Sequence, residues 1–322
     1  MKFNYPEGAT PLDDYSGLIP KGIHTQADLN SVEAENIFEA QKKYLQSKVD
    51  DPGHWFNVDY LKTIHKAMFG NVWTWAGEFR KSVTTIGVAP YKIAPQLSEL
   101  CADVQAWTRE PVELTFLEQA ARVHHRLVFI HPFENGNGRF SRLVADRYLK
   151  AYGCPYPHWP SLQDSGESRT VYIKSLKAAD QGDYALLVSF MRELGARDPY
   201  LSELLGFSSY RKMLTHEKRV AMVHALIKSG CEINETHNNG HSPLQIAIQN
   251  HYEEIARILF EHGADMQLRD KSGYDAFELA INKGMFELAK KMYDAGYPYS
   301  PRIPTSLKIK YDMRDKFDMM FF

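Results

Sequence analysis

The chain of 322 residues is poor in cysteine, in long apolar runs and in charge of one sign. Its three cysteines, Cys101, Cys154 and Cys231, lie far apart and form no CxxC pair. That excludes a cysteine-based zinc site or a disulfide framework and suits reduced, partly buried thiols in a cytosolic protein. No apolar run reaches the roughly 18 residues a membrane helix needs. The opening MKFNYPEGATPLDD has no apolar core for a signal peptide. Lysine and arginine number 38 against 40 aspartate and glutamate, a formal net charge of −2. Such a balance supplies no broad field to draw nucleic acid or an anionic membrane, so neither is expected as a partner. A cytoplasmic location is the expectation, and the same composition is compatible with delivery into a host cell. What the chain does have is an ordinary globular composition, 44% hydrophobic, at a length that suggests two domains.

The first 22 residues are rich in Pro, Gly and Asp and read as an extended lead-in. A helix is expected from about Asn30, which can cap it, with Glu33 completing a capping box. Ile37, Ala40 and Tyr44 recur at helical spacing. Asp51-Pro52-Gly53 breaks the chain, and a second helix follows from about Val58 to Phe69. The aromatic stretch Trp73 to Arg80 leads into Lys81–Ile93, which is β-branched, holds Gly87 and Pro90, and reads as a hairpin. Helices are expected from about Gln96 to Trp107 and from Glu113 to Ile130. The latter carries Leu117, Ala121, His124 and Val128 on one stripe and stops at His131-Pro132. His124 and His125 read as core or hydrogen-bonded residues rather than metal ligands.

The last 120 or so residues differ in kind. Gly230, Gly263 and Gly296 recur every 33 residues, as do Gly240 and Gly273, and Ala247 and Ala280. A 33-residue period, with a glycine turn before two short amphipathic helices, resembles ankyrin repeats over residues 207–305. His241-Ser242-Pro243-Leu244-Gln245-Ile246-Ala247 stands where that family has Thr-Pro-Leu-His-x-Ala. Ser replaces Thr, Gln replaces His, and the next copy has Ala276-Phe277 for Pro-Leu. About three copies, the minimum for a continuous core, are expected, with the tail to Phe322 as a cap.

The segment Ile130-His131-Pro132-Phe133-Glu134-Asn135-Gly136-Asn137-Gly138-Arg139-Phe140-Ser141-Arg142 carries the chemistry. It reads as a glycine-rich turn feeding a helix that starts near Gly138. Glycines and asparagines let successive N–H groups face one concavity, and a helix N-terminus adds its positive dipole. Arg139 and Arg142, three apart, project from one face of the first turn, each able to clamp phosphate oxygens. His131 stands where a general base could reach a hydroxyl aligned with a bound phosphate. A base, an anion nest and two arginines describe phosphoryl or nucleotidyl transfer.

The same segment resembles the Fic motif His-x-Phe-x-(Asp/Glu)-Gly-Asn-Gly-Arg-x-x-Arg, matching at His131, Phe133, Gly136, Asn137, Gly138, Arg139 and Arg142. The resemblance extends over about residues 10–195. It implies transfer of AMP from ATP to a hydroxyl on a target protein. By that resemblance His131 deprotonates the target hydroxyl and Phe133 anchors the loop. Gly136, Asn137 and Gly138 cradle the α- and β-phosphates, with Asn137 on the α-phosphate. Arg139 and Arg142 hold the triphosphate. The flap, around Thr85, Ile86 and Gly87, pairs with the target backbone. Tyr172 lines the adenine pocket. The family's acidic metal position is Asn135 here, preceded by Glu134. An uncharged amide binds Mg2+ less well, so slower transfer, a preference for Mn2+ or another donor are all open. Ser31-Val32-Glu33-Ala34-Glu35-Asn36 matches the family's inhibitory pattern (Ser/Thr)-x-x-x-Glu-(Gly/Asn). There Glu35 is expected to pair with Arg142 and block the productive ATP pose, with AMP removal as a further activity; Glu33 is the rival for that role, set aside because capping already gives it a structural task.

The expected fold is therefore mainly α: a Fic helical core with a β-hairpin flap, then an ankyrin-repeat solenoid. Residues 1–50 form the lead-in and inhibitory helix, 51–200 the catalytic core, and 201–322 the repeats and cap. The expected activity is autoinhibited protein adenylylation, with ATP as substrate, Mg2+ or Mn2+ as cofactor, and a protein partner on the repeat surface. The alternatives are a phosphocholine-type donor, or a weakened site on a nucleotide-binding scaffold. The intact Gly136-Asn137-Gly138 favours ATP.

Overall fold

A computed structural model describes residues 16–47, 51–160, 167–206, 214–236 and 240–298. The described residues are mainly helical, and their one β-bridge joins Leu18 to Trp73. They divide into two units. One holds the residues up to 198 other than 111–113; the other holds those three and everything from 199 onward.

In the first unit, α1 (Gln26–Gln46), α2 (Pro52–Trp55), α3 (Val58–Phe69), α4 (Pro90–Arg109) and α5 (Phe116–Ile130) precede α6 (Asn137–Ala151), α7 (Glu167–Ala179) and α8 (Ala185–Glu193). The centre is the α5–α6 pair, joined by the short glycine-rich turn. Phe133 and Phe140 are fully buried beneath it. α1 and α3 pack together and both reach α6. Arg147 of α6 lies under the rings of Tyr44, Trp55 and Tyr60 and donates to the Tyr44 carbonyl at 2.6 Å, tying the end of α1 to α6.

Three features depart from the sequence expectations. α1 begins four residues before Asn30, because Thr25 and Asp28 make the capping box: Thr25 Oγ1 accepts from the Asp28 N–H at 3.1 Å, and Asp28 Oδ2 from the Thr25 N–H at 2.8 Å. Glu33 is thereby free of capping, and the buried stripe Leu29, Glu33, Ile37, Ala40 and Tyr44 faces the core. Second, Lys81–Ile93 forms no hairpin. Residues 80–89 are irregular, and Pro90 opens α4 at a position where its missing N–H costs nothing. The β-branched residues there have no partner strand. Val88 instead donates to the Ile130 carbonyl at 3.3 Å, at the end of α5. Third, Asp51-Pro52-Gly53 is a helix start as well as a break, with Asp51 Oδ1 accepting from the Gly53 N–H.

The second unit holds α9 (Leu201–Gly206), α10 (His216–Lys228) and two helix pairs: α11 (Pro243–Gln249) with α12 (Glu253–Glu261), and α13 (Ala276–Asn282) with α14 (Phe286–Asp294). The 33-residue glycines end helices: Gly230, Gly263 and Gly296 all have φ between +80° and +100°, a region costly for residues with a Cβ. Both inner repeats open on a capping box, Ser242 with Gln245 and Asp275 with Glu278. Gln245, at the family's histidine position, donates from Nε2 to the carbonyls of Leu268 (2.8 Å) and Tyr274 (3.0 Å) in the following repeat. The expected tail cap, and residues 207–213 and 237–239 of the first copy, lie outside the described residues.

Candidate active site

α5 starts on a capping box of Thr115 with Glu118 and ends at His131, whose φ of 52° and ψ of 60° are left-handed. That conformation is uncommon for a residue with a Cβ and is held by its surroundings. His131 is 8% exposed. Burial first, and the nearby Arg80 charge second, push its imidazole down to about 4, against a hydrogen bond to the Val128 carbonyl. At neutral pH the ring is a neutral base.

The turn from His131 to Gly136 is held from outside by its carbonyls. The Ile130 carbonyl accepts from the Val88 N–H, that of His131 from Arg80 Nε at 2.6 Å, and that of Pro132 from the Arg80 N–H at 3.0 Å. Asn137 grips Phe133 at both ends, accepting from its N–H at 2.9 Å and donating to its carbonyl at 2.8 Å. The Asn135 carbonyl accepts from His65 Nε2 at 3.0 Å. Because Nδ1 of the same ring accepts from the Gly77 N–H at 3.0 Å, the His65 tautomer is fixed with its proton on Nε2. Full burial pushes His65 down to about 3, so it stays neutral, stacked on Phe133 at 3.7 Å. Gly136, at φ +78°, caps α6, and a Cβ there would overlap the Phe69 ring. A Cβ at Gly138 would meet no atom within 4 Å, so the first turn of α6 opens on space there. With the carbonyls drawn outward, the helix N-terminus presents N–H groups, the polarity an anion requires.

Several expected roles change. Asn137 is 2% exposed, and its amide is bonded to the Phe133 backbone at both ends, where it shapes the turn. Arg139 and Arg142 share a helix but are held by different neighbours. Arg139 pairs with Glu33 at 2.7 Å over the Phe69 ring. Arg142 lies over Trp159 and Tyr172 and donates to the Pro160 carbonyl at 3.5 Å. Glu35 is exposed on α1 and makes no ion pair with Arg142 among the described residues. The carboxylate facing the motif is Glu33, 4% exposed, which also accepts from Trp73 Nε1 at 2.8 Å. Glu35 points away because it lies two residues, over half a helical turn, from Glu33.

Tyr172 is set among buried polar groups. Its hydroxyl meets His124 Nε2 at 3.0 Å, and burial raises it above its ordinary value. Behind it Trp159 Nε1 donates to Asp146 Oδ1 at 2.8 Å, and burial pushes Asp146 up to about 8. His125 contacts Asp180 at 2.9 Å, in keeping with a hydrogen-bonded histidine. Thr85 and Ile86 are exposed, while Gly87, at φ +104°, leaves no room for a Cβ against His131.

The residues at the turn do not fit a resident Mg2+ or Mn2+. Asn135 Oδ1 accepts from the Gly136 N–H. The Glu134 carboxylate turns to the flap stem, accepting from Ser82 Oγ at 2.9 Å and the Lys81 N–H at 3.4 Å. Among the described residues no group of three or more His, Cys, Asp and Glu is placed to hold a metal.

Residues 55–149 match the model of the Fic/DOC family. The chain carries a Fic domain. Residues 213–301 match the model for three copies of ankyrin repeats. The chain is 29% identical over 168 residues to "Protein adenylyltransferase Fic" of Aedes aegypti, covering 51% of this chain and 33% of that protein. It is 30% identical over 142 residues to "Protein adenylyltransferase fic-1" of Caenorhabditis elegans, covering 42% and 26%. The chain thus spans about a third or less of the length of these relatives. A solved structure of C. elegans Fic-1 aligns at 23% identity over 56% of this chain and 52% of that one, with a TM-score of 0.44. Arg80, His65, Trp159 and Asp146 were not among the expected site residues, and Glu33 was weighed only as the rival of Glu35. Their one sequence signal is that each is a polar or aromatic residue on an otherwise apolar helix face or aromatic run.

Proposed function

We propose that this Fic domain transfers AMP from ATP to a hydroxyl group of a target protein. A neutral histidine at the end of a turn whose carbonyls are tied away from the helix N-terminus carries this reading. The target oxygen attacks the α-phosphorus and its proton passes to His131. The α–β bridging P–O bond breaks and pyrophosphate leaves. The backbone from Gly136 to Gly138 receives the phosphates, and Arg139 and Arg142 stabilise charge on the leaving group. Tyr172 and Trp159, whose rings lie against Arg142, bound the nucleoside end. The flap at Thr85, Ile86 and Gly87 holds the target backbone beside His131, and the repeats recruit a protein partner. The relatives' printed names, protein adenylyltransferase, support the same chemistry over the part they share.

Glu33 acts as a brake. It occupies Arg139, so a triphosphate must displace a carboxylate before that arginine can serve it. A charge-assisted bond of this kind is worth about 1.5–3 kcal/mol, which corresponds to a roughly 10- to 150-fold weaker grip on ATP. Labelled ATP separates the readings. Glu33→Gln should label more target than wild type, and His131→Ala none. Equal labelling by Glu33→Gln and wild type would remove the brake. ATP binding without labelling in any form would leave a nucleotide-binding scaffold.

A further inference from the structure

One polar group in the first unit lies outside the chemistry so far described and touches both the flap and the base. Arg80 is 2% exposed. Its guanidinium makes no ion pair with a carboxylate among the described residues; it is solvated by carbonyls. Nε donates to His131 O at 2.6 Å, Nη1 to Ser82 O at 2.8 Å, and Nη2 to Val88 O and, at 3.5 Å, to Ile130 O. Its own N–H donates to Pro132 O at 3.0 Å. Two of these acceptors are flap residues and three belong to the end of α5 and the turn.

We propose that Arg80 is a positioning residue for the transfer, a planar clamp that locks the flap to the backbone of the catalytic histidine. The proposal rests on the transfer reading above, since the flap matters to catalysis only if a target is laid against it. Three physical points support it. The negative end of the α5 dipole, four carbonyls and, at longer range, the Glu134 carboxylate compensate the buried charge, so the site accepts a cation but has no use for a neutral side chain. The carbonyls of Ser82, Val88, Ile130 and His131 are reached by one rigid fork, a geometry that a single ammonium cannot reproduce. Gly87, held between the flap acceptors, sits where any Cβ would overlap His131. The flap is therefore registered to the base at contact distance. A shift of about 1 Å between target and base costs about 100-fold in rate.

The test uses the full chain with Arg80→Lys and Arg80→Gln. Each is followed by ATP binding, by steady-state labelling of the target, by amide hydrogen exchange and by the NMR titration of the His131 ring. We expect the Kd for ATP to stay within about twofold, because the nucleotide sites on α6 are untouched. In Arg80→Lys, kcat should fall about 100-fold and KM for the target should rise. The amides of Arg80 and Val88 should exchange at least about tenfold faster, with those of α3 and α6 unchanged. Arg80→Gln, which alone removes the charge, should move the His131 titration up from its low value towards the ordinary one; Arg80→Lys should not. Wild-type kcat in Arg80→Lys overturns the proposal. So does a parallel loss of ATP binding, turnover and protection throughout the unit, which marks a merely structural arginine. If wild type transfers nothing, the transfer reading fails on its own, while exchange and titration still judge the clamp.

Discussion

At the scale of single residues, the site is built by exclusion of acceptors. The side chains of Arg80, His65 and Asn137 are polar and buried, and each gives a donor to a carbonyl of the turn. None of these carbonyls is left to repel a phosphate. The same burial sets the base. His131 titrates at about 4, below the roughly 6.5 of a free imidazole. A base must be unprotonated, so activity is present above that value and lost below it. In kcat/KM for ATP, which reports the protein before the triphosphate binds, the acid limb should therefore lie near pH 4 rather than near 6.5, and the ring's NMR titration should agree. Bound triphosphate favours the imidazolium, so the limb in kcat should lie higher than in kcat/KM. A limb near 6.5 in the free protein would show that the ring is not buried as described. The motif itself, His131 to Arg142, was legible because turn glycines, a base and paired arginines need a fixed spacing. The roles of Asn137 and Glu33 were not, because a side chain's partner depends on which element packs over it.

At the scale of elements, local chemistry decided the departures. Asn30 with Glu33 resembles a capping box, yet Thr25 with Asp28 is the complete reciprocal pair, and α1 starts there. The β-branched run after Lys81 suggested strands, but a strand needs a partner, and these residues found a helix end and a guanidinium. The α1 cap also offers a test away from the phosphate site. Thr25→Ala should cost about 1 kcal/mol of α1 stability, read as faster amide exchange in its first two turns. If α1 holds the brake, the same substitution should tighten ATP binding modestly, because a frayed α1 presents Glu33 less often. Looser ATP binding would mean that α1 supports the site instead of restraining it. The buried stripe of Ile37, Ala40 and Tyr44 was readable, since helical period and apolarity coincide there.

At the scale of the whole molecule, the repeats were read from glycine spacing because a left-handed helix end is nearly specific to glycine. The departures from the repeat pattern were tolerated where the replacement kept a donor: Gln245 spans to the carbonyls of Leu268 and Tyr274. Gln245→Ala should leave the Leu268 carbonyl without this donor, while the Tyr274 carbonyl keeps the Asp270 N–H, and cost about 1 kcal/mol. Thermal unfolding of the full chain should show that loss in the transition of the repeat unit alone. An unchanged transition would mean that water replaces the amide. Along the chain as a whole, no helix among the described residues is long and apolar enough to cross a membrane.

The depressed basicity of His131 has a consequence for repeated turnover. Once pyrophosphate has left, an imidazolium formed there during transfer is an acid of about pKa 4. In neutral solution such an acid gives up its proton to buffer unaided. The proposed catalyst therefore resets itself between cycles, and no second group is required to take the proton onward.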